Sequence, residues 1–511
     1  MNIQINQLGY TPKMKKTALL RGPLADEMQV KNAAGETVLT VPVDQGRTEL
    51  WGDSLAAVDF SALSMEGTYT LHCGDASSYP FVVAESPYQD CLAALVDMLY
   101  YQRCGCDLGP ETGVFAHPAC HTGMARVYGT EEKVEVSGGW HDAGDYGRYI
   151  VPAAKTVADV LLAWQWNPAA FVQGITPVLD EVRWELEWML KMQRADGAVY
   201  HKVTCASFCG MVMPHEETEA LILSPVSTTA TADFAAAMAM ASRFYQSVDA
   251  AFAQRMKEAA LQAWAFIADN DPILFRNPEG IRTGGYGDGY DGDERLWAAV
   301  ELALTCGGDS YPKAAREWLA VIDQNSAPLG WADMRGYAAI EGMQLPGEAG
   351  ESCRRWVRKE ADRLLERINA YGITMTDYLP WGSNMDVCNH GMLLFAAYQL
   401  THQETYRLAA EKQLHYVLGV NPVSYCYVSG FGSRPMSHPH HRPSVAQGVA
   451  QPGMLSGGPC SGLADACAKE RLQGQPAGKC FVDDHASYST NEICIYWNSP
   501  LIALMAGIMG A

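Results

Sequence analysis

The chain has 511 residues, and its 58 acidic residues against 37 basic ones give a formal net charge of −21. This charge repels a polyanion, which excludes nucleic acid as the natural partner. No apolar run approaches the roughly 20 residues that a membrane-spanning helix needs, so no membrane segment is expected. A chain of this length exceeds one ordinary domain, and we expect two domains, one of them large.

The cysteines and the first residues bear on the cellular compartment. The 15 cysteines are an odd number and show no disulfide-framework spacing. The first six residues have neither the basic region nor the apolar region of a signal peptide. The sequence therefore predicts a cytoplasmic protein, or a secreted one if a leader has been removed. We also expect a monomer without an organic cofactor.

Short runs of strand-forming residues occupy the first 84 residues. The runs lie at 4–6, 38–41, 68–72 and 79–83, and turns at 32–35 and 73–75 separate them. Short strands with turns between them are typical of a small all-β sandwich. We therefore predict a β-sandwich domain over residues 1–84.

After Ser86 and Pro87 the hydrophobic pattern changes to the helical period. Apolar residues share one helical face at 92–99 and 178–189, and further helical runs lie at 147–165, 228–246, 251–268, 293–305, 311–322, 357–370, 385–400 and 407–418. The pattern predicts an all-helical domain over residues 85–511. An (α/α)6 barrel suits so many helices, although periodicity alone also permits an irregular helical array.

Two cysteines and two histidines ahead of residue 142 form a candidate metal site. Two thiolates and two imidazoles are a ligand set that suits tetrahedral zinc, and they are Cys104, Cys120, His121 and His141. Four protein ligands leave no open position, so the metal would be structural. Cys106 and His117 are alternative members of the set. The competing interpretation is buried free cysteines and a core histidine.

The segment 137–149, S-G-G-W-H-D-A-G-D-Y-G-R-Y, has two carboxylates three residues apart. Small residues separate Asp142 from Asp145 and permit close approach of a substrate, and Trp140, Tyr146 and Tyr149 offer flat surfaces on which sugars stack. The competing interpretation is that the two aspartates only cap a helix or lie solvated in a loop.

The segment 284–294 is rich in oxygen ligands and glycine turns, as hard cations prefer. It lacks the spacing of an EF-hand. The competing interpretation is a solvated acidic loop that caps the following helix.

Two further segments carry candidate functional groups. Residues 427–444 place three histidines and two arginines in a Gly- and Pro-rich loop, and loops on a rigid scaffold often carry function. Glu492 opens an apolar run to residue 505 that predicts a buried C-terminal helix. Partial burial there would raise the pKa of Glu492, although a glutamate is also an ordinary helix cap.

Three motifs together resemble the signatures of glycoside hydrolase family 9, the inverting β-glucanases and cellulases. They are G-G-W-H-D-A-G-D at 138–145, G-F-G-S-R-P with P-H-H-R at 430–442, and D-D…S-Y…N-E at 483–492 before W-N-S-P-L. The resemblance covers essentially the whole chain. Residues 3–10 resemble the start of the immunoglobulin-like module of one subgroup. The resemblance implies an immunoglobulin-like sandwich followed by an (α/α)6 barrel.

Inverting hydrolysis of a glycosidic bond needs a carboxylic acid and a carboxylate base about 6.5–9.5 Å apart, with water between base and sugar. Asp145 is the candidate base and Glu492 the candidate acid, in agreement with the aligned positions of the family. Asp142 would accept the second hydrogen bond of the water and help to keep Asp145 ionised.

The resemblance also implies binding residues. His440 and Arg442 would bind sugar hydroxyls, and the planar guanidinium of Arg442 could instead steady a catalytic carboxylate. Trp381, in L-P-W-G-S-N, resembles a cleft segment that stacks on a sugar, and Tyr488 is placed with the substrate-binding residues. For metals, the segment around Cys104 and Cys120 resembles zinc-carrying relatives, and the calcium ligands would be Asp293, Glu294 and Asp333.

The expected activity is inverting cleavage of β-1,4-glucosidic bonds in soluble β-glucans and cello-oligosaccharides. An exo-acting β-glucosidase or β-glucosaminidase of the same fold is the alternative. A non-catalytic glycan-binding protein is a further alternative, which the presence of all three carboxylates opposes. The module at 1–84 is either a brace or a wall of the cleft, and we favour the brace.

Overall fold

The structure is a computed structural model that describes residues 3–22 and 25–511. Within the described residues, nine strands precede the first helix: β1 Ile3–Gln4, β2 Thr17–Arg21, β3 Glu27–Asn32, β4 Thr37–Pro42, β5 Thr48–Leu50, β6 Asp53–Asp59, β7 Gly67–Cys73, β8 Ala76–Ser77 and β9 Phe81–Val83. One sheet has the order β1-β2-β6-β5, and the other has β4-β3-β7-β8 with β9 also paired to β7. Residues 1 and 2 of the predicted sandwich lie outside the described residues.

The inner faces of the two sheets form the core of the sandwich. Val30 of β3 lies opposite Leu71 of β7, and Ala18 of β2 lies opposite Val58 of β6. All four side chains are buried. The alternation of buried and open positions along these strands follows from the two-residue period of a β-strand. The predicted β-sandwich is therefore confirmed, while its boundary at residue 84 stays a prediction.

Fifteen helices follow the sandwich. They are α1 Gln89–Tyr101, α2 Ile150–Trp166, α3 Val178–Lys191, α4 Thr228–Tyr245, α5 Ala250–Asp269, α6 Gly292–Thr305, α7 Ser310–Val321, α8 Arg335–Gly342, α9 Gly347–Glu366, α10 Ser383–Thr401, α11 Glu404–Val417, α12 Arg442–Gln447, α13 Ala466–Leu472, α14 Tyr488–Asn491 and α15 Ile495–Met509. A small third sheet has the order β11-β10-β14-β13-β12, with β10 Ala125–Val127, β11 Lys133–Val134, β12 Arg148–Tyr149, β13 Lys202–Thr204 and β14 Ile222–Leu223.

Six helices close an inner ring in the order α2, α4, α6, α8, α10 and α15, with α15 packed against α2. Each inner helix packs most extensively against one outer helix: α3, α5, α7, α9, α11 and α1 respectively. The inner helices α2, α4 and α15 are buried over most of their length, which their apolar and alanine-rich sequences permit. The (α/α)6 barrel is therefore confirmed. Among the described residues, no helix is both long and apolar enough to cross a membrane.

Helix α9 and the C-terminal helix differ from the sequence predictions in ways that matter, whereas the other predicted runs agree with their helices to within a few residues. Helix α9 begins at Gly347, ten residues before the predicted run. Its first turns show little hydrophobic pattern because they are mostly polar, and only Ala349, Gly350 and Cys353 among residues 347–355 are buried. The C-terminal helix begins at Ile495, whereas Glu492 lies before it in an extended conformation. Glu492 is therefore not the first residue of that helix. Its carboxylate projects from a non-helical connection, where a substrate can reach it.

The sandwich is joined to the barrel through a polar and aromatic contact. Trp51 stacks on Tyr371 with ring centroids 5.4 Å apart, and its Nε1 donates to the carbonyl of Thr376 at 2.9 Å. Asp53 accepts hydrogen bonds from the Tyr371 hydroxyl at 2.5 Å and from Lys479 Nζ at 2.8 Å. The buried core continues from the sandwich into the barrel. These contacts give the sandwich the position of a brace.

Replacing Trp51 by alanine should destabilise the whole chain. The substitution removes a nearly buried ring, its stacking on Tyr371 and one hydrogen bond. We expect the free energy of unfolding to fall by about 3 kcal/mol, as is usual for a buried tryptophan. Chemical denaturation would measure it. Trp51→Phe retains a ring and should lose less, and equal stability of Trp51→Ala and the parent would contradict the brace.

Candidate active site

The three sequence motifs meet at one end of the barrel, where backbone hydrogen bonds join their loops. Ala143 forms an antiparallel bridge with Cys494, and His440 forms a parallel bridge with Glu492. Gly144 lies between these loops, and its carbonyl accepts the backbone N–H of Arg442 at 3.1 Å. A Cβ at residue 144 would lie 2.1 Å from the carbonyl oxygen of His440. Only glycine permits this approach, which explains the small residue beside the two aspartates.

The joined loops line a cavity of about 700 Å³. Its carboxylates are Asp142, Asp145 and Glu492, and its other polar side chains include His440 and Arg442. The aromatic side chains that line it are Tyr149, Phe208, Tyr286, Trp331, Trp381, Tyr488, Tyr496 and Trp497. No residue of the sandwich, as far as the chain is described, lines this cavity. The sandwich therefore does not form a wall of the cleft.

Asp145 has the surroundings of a carboxylate that can stay ionised. Burial raises its pKa, but the nearby guanidinium of Arg442 and the backbone N–H of Gly147 oppose that rise. The Gly147 N–H donates to Asp145 Oδ2 at 3.0 Å. Hydrogen bonds and positive charge favour the charged form of a carboxyl.

Asp142 is held from two directions. The hydroxyl of Tyr286 donates to Asp142 Oδ2 at 2.5 Å, and Cys494 Sγ lies 3.5 Å from Oδ1. Burial raises the pKa of Asp142 to about 8, with a further contribution from the charge of Asp145. Tyr286 therefore fixes the orientation of the first aspartate of the pair.

Glu492 is the third carboxyl of the cavity. Burial raises its pKa well above the usual value, and the charges of Asp145 and Asp142 raise it further. Arg442 opposes this rise. Like charges in one cavity disfavour simultaneous ionisation. Glu492 is therefore suited to stay protonated while Asp145 is ionised.

The two predicted donors, His440 and Arg442, both line the cavity. His440 Nδ1 lies 2.6 Å from the carbonyl oxygen of His485, which leaves Nε2 for a ligand. Arg442 donates to the carbonyls of Gly144 at 2.8 Å and Cys209 at 3.1 Å. The guanidinium of Arg442 therefore connects two loops and places its positive charge near Asp145. This position suits the predicted role of Arg442 in steadying a catalytic carboxylate.

The aromatic walls contain residues that sequence reasoning found and residues that it missed. Trp381 and Tyr488, the two aromatic residues predicted to bind substrate, line the cavity with exposed fractions of 45% and 37%, and their ring centroids lie 5.2 Å apart. Phe208, Tyr286 and Trp331 were not predicted. Tyr286 lies inside the segment 284–294, which the sequence analysis interpreted as a calcium loop. Its position between two glycines was the one sequence feature that could have indicated a role in the cavity.

The predicted zinc ligands converge. The ligand atoms of Cys104, Cys120, His121 and His141 all lie within 4.8 Å of one another, and among the described residues no other set of three or more His, Cys, Asp or Glu does so. The predicted alternatives Cys106 and His117 lie outside the set.

The distances within the set fit a tetrahedral ion. The two sulfurs are 3.9 Å apart, Cys104 Sγ is 3.6 Å from His121 Nδ1, and Cys120 Sγ is 3.7 Å from His141 Nε2. A zinc tetrahedron with ordinary bond lengths has edges of about 3.8 Å between sulfurs and about 3.6 Å between sulfur and nitrogen. His121 Nε2 also lies 3.0 Å from Glu217 Oε2, the carboxylate partner that metal-binding histidines usually have. Sequence reasoning missed Glu217 because it is remote in the chain.

The predicted calcium ligands are arranged differently. Asp333 is paired with Arg335 through bonds of 2.8 and 2.6 Å, and Asp293 accepts the N–H of Met334 at 2.7 Å. Both oxygens of Glu294 are buried without a hydrogen-bond partner, as are both oxygens of Asp233. Burial and the charges of neighbouring acidic residues, among them Asp293, raise the pKa values of Asp233 and Glu294 well above the usual range. Asp233 of α4, which was not predicted, therefore joins this acidic cluster.

Comparison with known proteins agrees with this geometry. The family model of glycosyl hydrolase family 9 matches residues 88–505, and that of the cellulase N-terminal Ig-like domain matches residues 1–78. A cellodextrinase of Butyrivibrio fibrisolvens is 35% identical over 99% of both chains. Endoglucanase D of Acetivibrio thermocellus is 32% identical over 99% of this chain and 83% of its own length.

Solved structures show the same architecture. A single mutant of a thermostable endoglucanase from Alicyclobacillus acidocaldarius has a TM-score of 0.95 at 36% identity, and both chains are covered completely. A structure of AaCel9A in complex with a cellobiose-like isofagomine gives the same values. A Zn-binding triple mutant of the family 9 endoglucanase J30 has a TM-score of 0.90 at 28% identity, over 98% of this chain and 99% of its own. The chain therefore belongs to glycosyl hydrolase family 9.

Proposed function

We propose that this glycoside hydrolase cleaves β-1,4-glucosidic bonds in soluble β-glucans and cello-oligosaccharides with inversion of the anomeric centre. The observation that carries the proposal is the convergence of Asp142, Asp145 and Glu492 in one aromatic-lined cavity. The names of relatives support the substrate class, since they include a cellodextrinase and an endoglucanase. The complex with a cellobiose-like isofagomine points to the same class.

In the proposed mechanism, Asp145 accepts a proton from a water molecule whose oxygen attacks the anomeric carbon. Glu492 gives its proton to the glycosidic oxygen as the bond between that oxygen and the anomeric carbon breaks. Asp142, held by Tyr286, accepts the second hydrogen bond of the water. The product hemiacetal is the α-anomer because water enters on the face opposite the leaving group.

NMR of the anomeric protons during hydrolysis of cellotetraose tests the mechanism. Initial appearance of the α-anomer is the expected result. Initial β-anomer would overturn the assignment of Asp145 and Glu492. The ratio of cellobiose to glucose plus cellotriose separates internal cleavage from cleavage at a chain end, which distinguishes the proposed activity from an exo-acting glucosidase. Absence of hydrolysis would direct the test to glucosamine-containing substrates.

We further propose that Cys104, Cys120, His121 and His141 hold a structural zinc ion. The fit of the four ligand atoms to a tetrahedron supports this, and all four ligands come from the protein. Because His141 precedes Asp142 in the chain, a closed metal site would brace the loop that carries both aspartates. Glu217 would orient His121 from outside the ligand set.

Replacing Cys120 by serine should release the zinc and lower the melting temperature before it weakens sugar binding. The reason is that the ligands brace the loop and do not line the cavity. Metal analysis by plasma mass spectrometry and thermal unfolding would measure both effects. Cys106→Ser is the matched control, since Cys106 lies outside the ligand set and should leave zinc content unchanged. Native protein without zinc would reject the proposal.

We also propose that a calcium ion binds at the acidic cluster of Asp233, Asp293 and Glu294 and draws their carboxylates together, since in this structure their three ligand atoms do not all lie within 4.8 Å of one another. Buried carboxylates without partners are costly, and a hard cation with oxygen ligands would compensate their charges. Asp333, the third of the predicted ligands, would bind the ion only if its carboxylate left Arg335. Added calcium should raise the melting temperature of chelator-treated protein, and Glu294→Gln should abolish that rise. A melting temperature independent of calcium would contradict this assignment.

A further inference from the structure

A second pocket of about 610 Å³ lies beside the catalytic cavity. The residues that matter for its chemistry are Arg367, Asp377, Tyr378, Pro380, Asp386 and His390. Its volume falls in the range of about 300–1,000 Å³ that is usual for small-molecule sites. None of these six residues lines the catalytic cavity. The second pocket is therefore a separate candidate site.

The segment 377–381 separates the two cavities. Trp381 lines the catalytic cavity, whereas Tyr378 and Pro380 line the second pocket. Leu379 between them is fully buried, and its N–H and carbonyl are bonded to the hydroxyl and the N–H of Ser461 at 3.0 and 2.9 Å. The wall is thus anchored in the core, and it presents an aromatic residue to each cavity.

The other sides of the second pocket are also fixed. Thr376, one of its lining residues, accepts the hydrogen bond of Trp51 from the sandwich at 2.9 Å. The hydroxyl of Thr374 lies 2.7 Å from His390 Nδ1, which leaves His390 Nε2 for a ligand. The pocket is therefore a preformed part of the fold.

Three charged side chains of the second pocket are available to a ligand, although Lys155 acts on one of them, Asp386, through its charge. Within residues 3–22 and 25–511, the guanidinium of Arg367 and the carboxylates of Asp377 and Asp386 make no hydrogen bond or salt bridge. Tyr378 adds a ring that is 62% exposed. An exposed ring beside unpartnered donors and acceptors matches a saccharide, which offers an apolar face and many hydroxyls.

Two other ligand classes fit less well. The carboxylates and His390 do not bring three ligand atoms within 4.8 Å of one another. Unlike Asp233 and Glu294, neither Asp377 nor Asp386 has a carboxylate oxygen buried without a partner, so no buried charge calls for a metal ion here. Desolvation lowers the pKa of His390 to about 3, so its ring is neutral near pH 7. The charge of Arg367 is offset by Asp377, and burial raises the pKa of Asp386 to about 7 against the opposing charge of Lys155. Neither sign of charge dominates the pocket, which disfavours a charged ligand such as phosphate. The ligand class that fits the second pocket best is therefore a neutral polyol.

We propose that the second pocket is a non-catalytic saccharide-binding site, in which Tyr378 stacks on a sugar ring of a β-glucan chain and Arg367 and Asp386 bind its hydroxyls. This site takes no part in the proposed hydrolysis, because none of the polar residues of the second pocket lines the cavity that contains Asp142, Asp145 and Glu492. A smaller adjoining cavity of about 110 Å³ shares Asp386 and His390 and extends to Gly330, whose neighbour Trp331 lines the catalytic cavity. Such a site would hold one chain next to the position where another is cleaved.

Calorimetric titration of cellotetraose into the Glu492→Gln protein tests the proposal. Two binding events are expected in this parent, and only one in the double variant that adds Tyr378→Ala. Tyr378→Phe is the matched control: it retains the ring, so the second event should persist. Asp386→Asn is a second probe, for use if Tyr378→Ala fails to fold. It should weaken the second binding event at least tenfold.

A single binding event in the parent, unchanged by Tyr378→Ala, would overturn the proposal. So would a single event that Tyr378→Ala weakens, since the pocket would then be a distant part of the catalytic cleft. Hydrolysis of an aryl β-cellobioside by the Tyr378→Ala protein separates this test from the proposed function. That activity should stay unchanged, because the short substrate occupies the catalytic cavity alone.

Discussion

Replacing Glu492 by glutamine should lower kcat on cellotetraose by about 10²–10⁴-fold, the usual contribution of a general acid. Glutamine retains the shape of the side chain but has no proton to give to the glycosidic oxygen. Affinity for cellotetraose should stay measurable, because the aromatic walls and His440 are intact. A dinitrophenyl cellobioside, whose leaving group needs no proton, should lose much less activity.

The pH profile gives an independent check of Glu492. Its pKa is raised by burial and by Asp145 and Asp142, so the protonated form persists to higher pH than for an ordinary glutamate. Activity of the native enzyme should fall as pH rises through that pKa, and the Glu492→Gln variant should lose this limb. Glu470→Gln, at an exposed position of α13, is the control and should behave like the native enzyme. Native turnover of cellotetraose by Glu492→Gln would refute the role of the acid.

Replacing Asp145 by alanine should lower hydrolysis by a similar factor, about 10²–10⁴-fold, because the attacking water loses its base. The smaller side chain leaves room for azide, a nucleophile that needs no deprotonation. Azide should partly restore cleavage and give the α-glycosyl azide, since attack still comes from the face opposite the leaving group. Product analysis by NMR and mass spectrometry would identify the anomer.

The Glu492→Gln variant is the matched control for the azide experiment. It lacks the acid and retains the base, so azide should not restore its activity on cellotetraose. A β-glycosyl azide from Asp145→Ala would contradict inversion. As the proposed base, Asp145 acts in its ionised form, so activity of the native enzyme should also fall as pH decreases through its raised pKa.

Local sequence patterns predicted the two domain types correctly. The two-residue alternation of strands and the 3.6-residue period of helices depend only on neighbours in the chain, so runs such as 228–246 and 251–268 agree closely with α4 and α5. Helix α9 was predicted too short because its polar first turns are held by tertiary contacts of Ala349 and Cys353. Periodicity also could not decide that six helices close into a ring, since ring closure is a property of packing between distant segments.

The sequence by itself determined which side chains could carry the chemistry: three carboxylates in three motifs, and two cysteines with two histidines. Their residue types limit the reactions and metals that they can serve. Only the tertiary structure decided their surroundings. Tyr286 reaches Asp142 across 144 residues of chain, and Glu217 reaches His121 across 96. Burial and neighbouring charge, which set the pKa values of Asp145 and Glu492, arise from contacts between distant segments and therefore exist only after the barrel has closed.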